Sequence, residues 1–286
     1  MKLDEMQIQA EDVLTYFLQV MSEAPFTKDD IIFAFANKSE MISRALELCT
    51  KYCPELILND SQLRHLEESV TANALIGREK SAVLFRKDSR LSKKDFRRII
   101  FHELMHIYCA KIEMDDEHFI DIYGTGTTPD CDPDEIEYDG IIVAGYVVWS
   151  EFIAHYYAIK MIDKPKYKFN EIAHNIAPLF ADIHAHDLEA SKGSFSMICS
   201  HWLNCVDAEK SIEALQEPDM LLPSDESYAE ETQATLYICM RYLHNHMQNE
   251  QPWKIDEDFI FALGSNFNSF RIYNSMYLMS NGNMDA

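Results

Sequence analysis

Apolar residues recur at helical spacing through most of this chain, and the rhythm changes once, near residue 70. Over residues 4–22, Met6, Val13, Leu14, Phe17, Leu18 and Met21 share one helical face. Residues 39–53 repeat the pattern with Met41, Ile42, Ala45, Leu46 and Cys49, and Ser39 is the expected N-cap. The stretch VTANALIGREKSAVLFRK then places two short apolar runs around a polar turn containing Gly77. It predicts a β-hairpin with strands near 71–76 and 81–86. Ser92 and Asp95 form an S-x-x-D capping box, so a helix is expected from about Lys93 to about Glu113. Residues 114–139 are acidic and rich in turn formers, which predicts an exposed loop. The apolar segment IIVAGYVVWSEFIAHYYAIKMI, 141–162, is expected to be helical in its second half and to end before Pro165. Helices are expected over about 170–190, 195–215, 227–248 and 256–279, with a frayed C-terminus.

These elements describe an α+β chain, mostly α. A small β-sheet or hairpin and one central helix are flanked by helical N- and C-terminal regions. No linker rich in Gly, Ser or Pro interrupts the sequence. A single domain over 1–286 is therefore expected, with a helical region over 1–60, a core over 61–165 and a second helical region over 166–286.

Composition narrows the function classes. Hydrophobic residues make up 47% of the 286, enough for a sizeable core. The net charge of −23 repels nucleic-acid phosphates, so no nucleic-acid partner is expected. The one basic cluster, Arg86, Lys87, Arg90, Lys93, Lys94, Arg97 and Arg98, reads as the solvated approach to a helix. The N-terminus carries acids where a secretory signal needs basic and apolar residues, and no run approaches 18 uninterrupted apolar positions. The seven cysteines are scattered and form no CxxC, as expected of reduced thiols. A cytoplasmic protein without membrane contact is the resulting expectation.

The chemistry centres on Phe101-His102-Glu103-Leu104-Met105-His106-Ile107. On a helix, His102 and His106 lie one turn apart on the same face and can share one zinc ion. Glu103 lies about 100° round from His102. That places it beside a metal rather than on it, suited to accept a proton from a water and pass it to a leaving group. An HExxH string would arise by chance in roughly one chain of this composition in thirty, so context must decide. Here the motif sits among Ile99, Ile100, Phe101, Leu104, Met105, Ile107, Tyr108, Cys109 and Ala110. Burying two imidazoles and a carboxylate there without partners would cost several kcal/mol, which a dication relieves. The bland reading is a core helix whose histidines hydrogen-bond to neighbours.

A catalytic zinc takes three protein ligands and a water. The HExxHxxGxxH variant is excluded, because Cys109 and Ile112 occupy the required positions. Glu151 is the best third ligand. It shares a helical stripe with Val147, Val148, Ala154, His155, Ala158 and Ile162, where an unpartnered carboxylate is costly. A surface Glu beside Ser150 is the alternative. His155, one turn further on, can orient a ligand, steady an oxyanion as a catalytic group, or be a satisfied core histidine. Asp116, His118 and Asp130 are other ligand candidates. The pairs His184/His186 and His244/His246 have i, i+2 spacing, which turns the rings to different sides, and are expected at the surface.

Taken together, HELMH and the later WSEFIAHYYA resemble the gluzincin branch of the zincin-like metallopeptidases, over roughly Thr71 to Ile162. The order of hairpin, motif helix and Glu helix is similar to the ImmA/IrrE-like peptidases. The resemblance implies a zincin-like core, a zinc cofactor held by His102, His106 and Glu151, and hydrolysis of a protein or peptide substrate with Glu103 as the proton shuttle. It also implies that Ser81–Arg86 is an edge strand that takes substrate in extended form. Two departures stand out. Met105 replaces a common Gly, and His155 stands where some members place an Asp that orients a zinc-binding histidine. The competing function is a binding or regulatory protein on the same scaffold, with a structural or occluded metal. Zinc-dependent hydrolysis of a non-peptide substrate is a third reading.

Overall fold

A computed structural model of the chain describes residues 1–68, 71–112, 133–163, 169–183, 188–205, 208–217, 220–223, 225–250 and 252–282. The chain divides into two compact units, Met1–Glu113 with Met161–Asp163, and Met114–Lys160 with Lys164–Ala286. Among the described residues helix predominates, and one small mixed sheet accompanies it.

The first unit contains α1 (Leu3–Val20), β1 (Ile31–Ala36), α2 (Met41–Tyr52), α3 (Asp60–Glu68), β2 (Ala72–Ile76), β3 (Ser81–Arg86) and α4 (Lys93–Lys111). Strands β2 and β3 form the expected antiparallel hairpin, with Ala74 opposite Val83. A strand not anticipated from the sequence, β1, pairs parallel to β3 with Ile31 opposite Ser81. The order β1-β3-β2 makes β3 the central strand. The expectation of Ser81–Arg86 as a free edge is therefore wrong: its backbone pairs on both sides. The residues explain why, since Ser81 to Phe85 are all buried, as in a strand covered on both faces.

Helix α2 begins at Met41 and not under a Ser39 cap. A 3-10 turn, Lys38–Glu40, precedes it, and Glu40 returns its carboxylate to the Asn37 N–H at 2.9 Å. Helix α4 starts as predicted. The Ser92 hydroxyl oxygen accepts the Asp95 N–H at 3.1 Å, and its O–H donates to the Asp95 carboxylate at 2.6 Å. Aromatic contacts fasten α4 on two sides. Phe101 meets Phe17 of α1 at 4.9 Å, and Phe96 meets Phe85 of β3 at 5.1 Å. At the C-terminal end the Lys111 ammonium donates to the carbonyls of Gly77 and Arg78 in the hairpin turn.

The second unit contains α5 (Pro133–Ala158), α6 (Phe169–Ile176), α7 (Leu188–Leu203), α8 (Ala208–Glu213), α9 (Ala229–Met247) and α10 (Glu257–Ser280). Helix α5 is longer than expected. Residues 133–139 belong to it rather than to a loop, and the rest of that predicted loop lies outside the described residues. Proline at a first helical position lacks only an N–H that would be orphaned anyway. The helix continues into a π-helical turn, Ile159–Asp163. Two C-terminal helices differ from expectation. The one at 170–190 stops at Ile176 and passes into a 3-10 turn containing Pro178, and the one at 195–215 is replaced by α7 and α8.

Gly140–Asp163 is long and apolar enough to cross a membrane by length and composition alone. More than half of it is buried within the protein, where α5 packs on α7 and α10. The α10 crossing is backbone to backbone: a Cβ on Gly145 would fall 2.0 Å from the Ile260 carbonyl oxygen, and one on Gly264 would fall 2.1 Å from that of Ile141. The described cysteines, Cys49, Cys53, Cys109, Cys199, Cys205 and Cys239, are thiols outside any disulfide.

Candidate metal centre

Helix α4 carries the HExxH residues. Phe96, Ile100, Phe101, Leu104, Met105, Ile107, Tyr108 and Cys109 are buried around it, which leaves His102 and His106 half-buried on a shared face. Their Nε2 atoms lie 3.0 Å apart, with the rings nearly perpendicular at 83°. Two nitrogens held at about 2.0–2.1 Å from one ion at a tetrahedral angle would be about 3.3 Å apart, so the pair stands close to ligand spacing. Glu103, one residue on, is buried at 8% exposure.

Helix α5 carries Glu151 and His155, both half-buried, on the stripe where Val147, Val148, Ala154 and Ala158 are buried. The His155 Nε2 lies 3.8 Å from a Glu151 carboxylate oxygen, one helical turn away. His102 and His106 in the first unit and Glu151 in the second each offer one atom that could ligate a metal ion. Two imidazoles and one carboxylate are a donor set that suits a catalytic zinc with water in the fourth position.

The other ligand candidates divide. Asp116, His118, Asp130, His184 and His186 lie outside the described residues. His244 and His246 are half-buried rather than at the surface. The His246 ring stacks on Phe259 at 3.9 Å, faces Trp149 at 4.9 Å, and sets its Nε2 2.9 Å from the Pro252 carbonyl. Burial holds its pKa below the ordinary histidine value. It is a structural histidine held between aromatic rings.

One charged cluster was not anticipated. In the first unit, Asp163, with a side chain only 2% exposed, meets Lys94 at 3.4 Å and Arg98 at 3.5 Å. The Tyr16 hydroxyl donates to the Met161 carbonyl at 3.4 Å. These contacts tie the end of the π-helical turn to α1 and to the first two turns of α4. The available signal was a lone acid ending the apolar 141–162 segment, while the basic residues around the start of the motif helix outnumber the acids Asp88 and Asp95 among them.

No protein-family model, curated protein or solved structure matches the chain.

Proposed function

We propose that the chain is a zinc-dependent hydrolase of the metallopeptidase type, with His102, His106 and Glu151 as the metal ligands. The observation that carries the reading is the 3.0 Å approach of the two Nε2 atoms on one face of α4, and Glu151 enters as third ligand from its place in the apolar stripe of α5. When bound, zinc would supply Lewis acidity that lowers the pKa of a water and polarises a substrate carbonyl. Glu103 has the complementary role. Its carboxylate sits on the residue after the first histidine, and its low exposure shields it from bulk water. It accepts the proton of the attacking water and returns it to the leaving amine, so it serves as base and then as acid. His155 steadies the Glu151 carboxylate from one turn away, or faces the developing oxyanion as a donor.

Peptide recognition falls to a strand with an unpaired side. Since β3 is central, that role passes to β2, which packs against α4. An extended substrate would add through main-chain hydrogen bonds to its outer edge, which pairs with no other strand among the described residues. The reading is tested on the purified chain loaded with zinc, using a fluorogenic peptide library as probe. Wild type should carry one zinc and cleave a subset of peptides. Glu103→Gln should keep the zinc and lose about 10²–10⁴-fold in rate. Cleavage unchanged by that substitution would remove Glu103 from the mechanism, and zinc binding without any cleavage would favour a binding protein on the same scaffold.

A further inference from the structure

We propose that α7, together with Asn204 just past its C-terminal end, is the positioning element for the Glu151 carboxylate, acting through a three-rung hydrogen-bond ladder to the backbone of α5. The Ser196 hydroxyl donates to the Val148 carbonyl at 3.2 Å, and the Ser200 hydroxyl donates to the Phe152 carbonyl at 3.2 Å. The Asn204 amide donates to the Tyr156 carbonyl at 3.1 Å. Donors and acceptors both advance by four residues per rung, so the two helices run parallel and in register. Ser196 and Ser200 are fully buried, leaving their hydroxyls no water as an alternative partner.

A carbonyl inside an α-helix already accepts one N–H and has a second lone pair to offer. Three such lone pairs in a row specify both the axial position and the rotation of α5. Apolar packing alone would do this weakly, because α5 is apolar on nearly every side, with Val147, Val148, Trp149, Phe152, Ile153 and Ala154 all buried. Slippage by one residue moves a helix about 1.5 Å along its axis and about 100° around it. Such a step would break every rung and swing Glu151 from one side of the helix to another. The row 148, 152, 156 is centred about 100° round the helix from Glu151. The ladder therefore grips one side of α5 and leaves the Glu151 and His155 side to the metal. The π-helical turn starts at Ile159, just past the last rung, so the helix is regular where it carries the ligand.

This inference rests on the zinc reading above, and the experiment separates the two. Zinc affinity of the full chain is measured by competition with a chromogenic chelator, alongside the midpoint of thermal unfolding. Wild type, Glu151→Ala, the double variant Ser196→Ala with Ser200→Ala, Asn204→Ala, and Leu236→Ala are compared. Leu236 is buried in α9 and takes no part in the ladder. The double variant should lose about tenfold in zinc affinity, and Asn204→Ala a smaller amount in the same direction. Leu236→Ala should lower the unfolding midpoint and leave the affinity alone. Wild-type affinity in the double variant, with affinity lost in Glu151→Ala, overturns the positioning role. An affinity that merely tracks the unfolding midpoint across the set overturns it as well. Equal binding by wild type and Glu151→Ala overturns the ligand assignment itself. If the double variant does not fold, Asn204→Ala alone decides, since Asn204 is only half-buried and its loss removes one rung.

Discussion

The Nε2 atoms of His102 and His106 approach to 3.0 Å across one turn of α4. Two neutral imidazoles at that distance must share a proton or an ion, because facing lone pairs repel. With zinc as the proposed bridging ion, saturation should raise stability by about 2.7 kcal/mol at a hundredfold excess over Kd, and chelation should remove the gain. Differential scanning calorimetry with zinc and with EDTA reads this directly. His102→Ala and His106→Ala should each abolish the zinc-dependent shift. An unfolding midpoint indifferent to both additives would rule out the site.

Asp163 should be worth about 2 kcal/mol of stability. Breaking a buried ion pair costs more than that when both partners are buried. Here the acid is buried but Lys94 is largely exposed and Arg98 partly so, which lets water recover some of the loss. Asp163→Asn keeps the shape and removes the charge. Urea unfolding of that variant should show the loss, and Lys94→Ala should show much less of it.

Two glycines of α5 should respond to alanine in opposite directions. At Gly145 a methyl group would collide with the backbone of α10, where no side chain can give way. Overpacking of this kind costs about 3 kcal/mol or more. At Gly140 nothing lies within 4 Å of the added Cβ, so alanine should stabilise the helix by about 0.5–1 kcal/mol. Denaturant midpoints of Gly145→Ala and Gly140→Ala that moved together would contradict the close crossing.

Stability should fall on mild acidification, and His246 should account for some of the fall. Its pKa is held down chiefly by burial, against the opposing pull of the Pro252 and Lys254 hydrogen bonds and of Asp256. The unfolded chain titrates near the ordinary value of about 6.5, so it binds a proton before the folded protein does. The contribution is complete above about pH 6.5, is lost as pH falls from there through the folded pKa, and is constant below it. His246→Gln carries no titrating ring. Between pH 7 and 5 its unfolding free energy should decline less than that of wild type; equal slopes would assign the effect to other groups.

What the sequence disclosed follows from range. Helix periodicity, the Ser92 cap and the β2–β3 turn are local, and α1, α4 and the hairpin appear where the pattern places them. The hidden features depend on partners far away. Strand β1 reads IIFAFA between Asp30 and Asn37, an apolar run with clear boundaries, yet nothing local says that it pairs fifty positions later. The placement of β3 was recoverable, because AVLF shows no alternation and an exposed edge normally would. Of the candidate centre, the His pair was legible because i, i+4 spacing fixes it. Glu151 was legible because a carboxylate in an apolar stripe needs an explanation. The ladder was not, since serines at 196 and 200 look like ordinary small residues until the carbonyls opposite them are known.

The parallel pairing of β1 with β3 also sets a timing problem for the nascent chain. Ile31 reaches its partner only after Ser81 has been made. At about 5–20 residues per second, β1 waits about 3–10 s on the ribosome with its backbone unpaired. IIFAFA lacks any charge or proline, which is the composition of segments that stack into intermolecular sheets. Lys28, Asp29 and Asp30 on one side and Lys38 on the other flank it with charge. Their position suits gatekeepers that keep neighbouring chains apart until the rest of the sheet arrives.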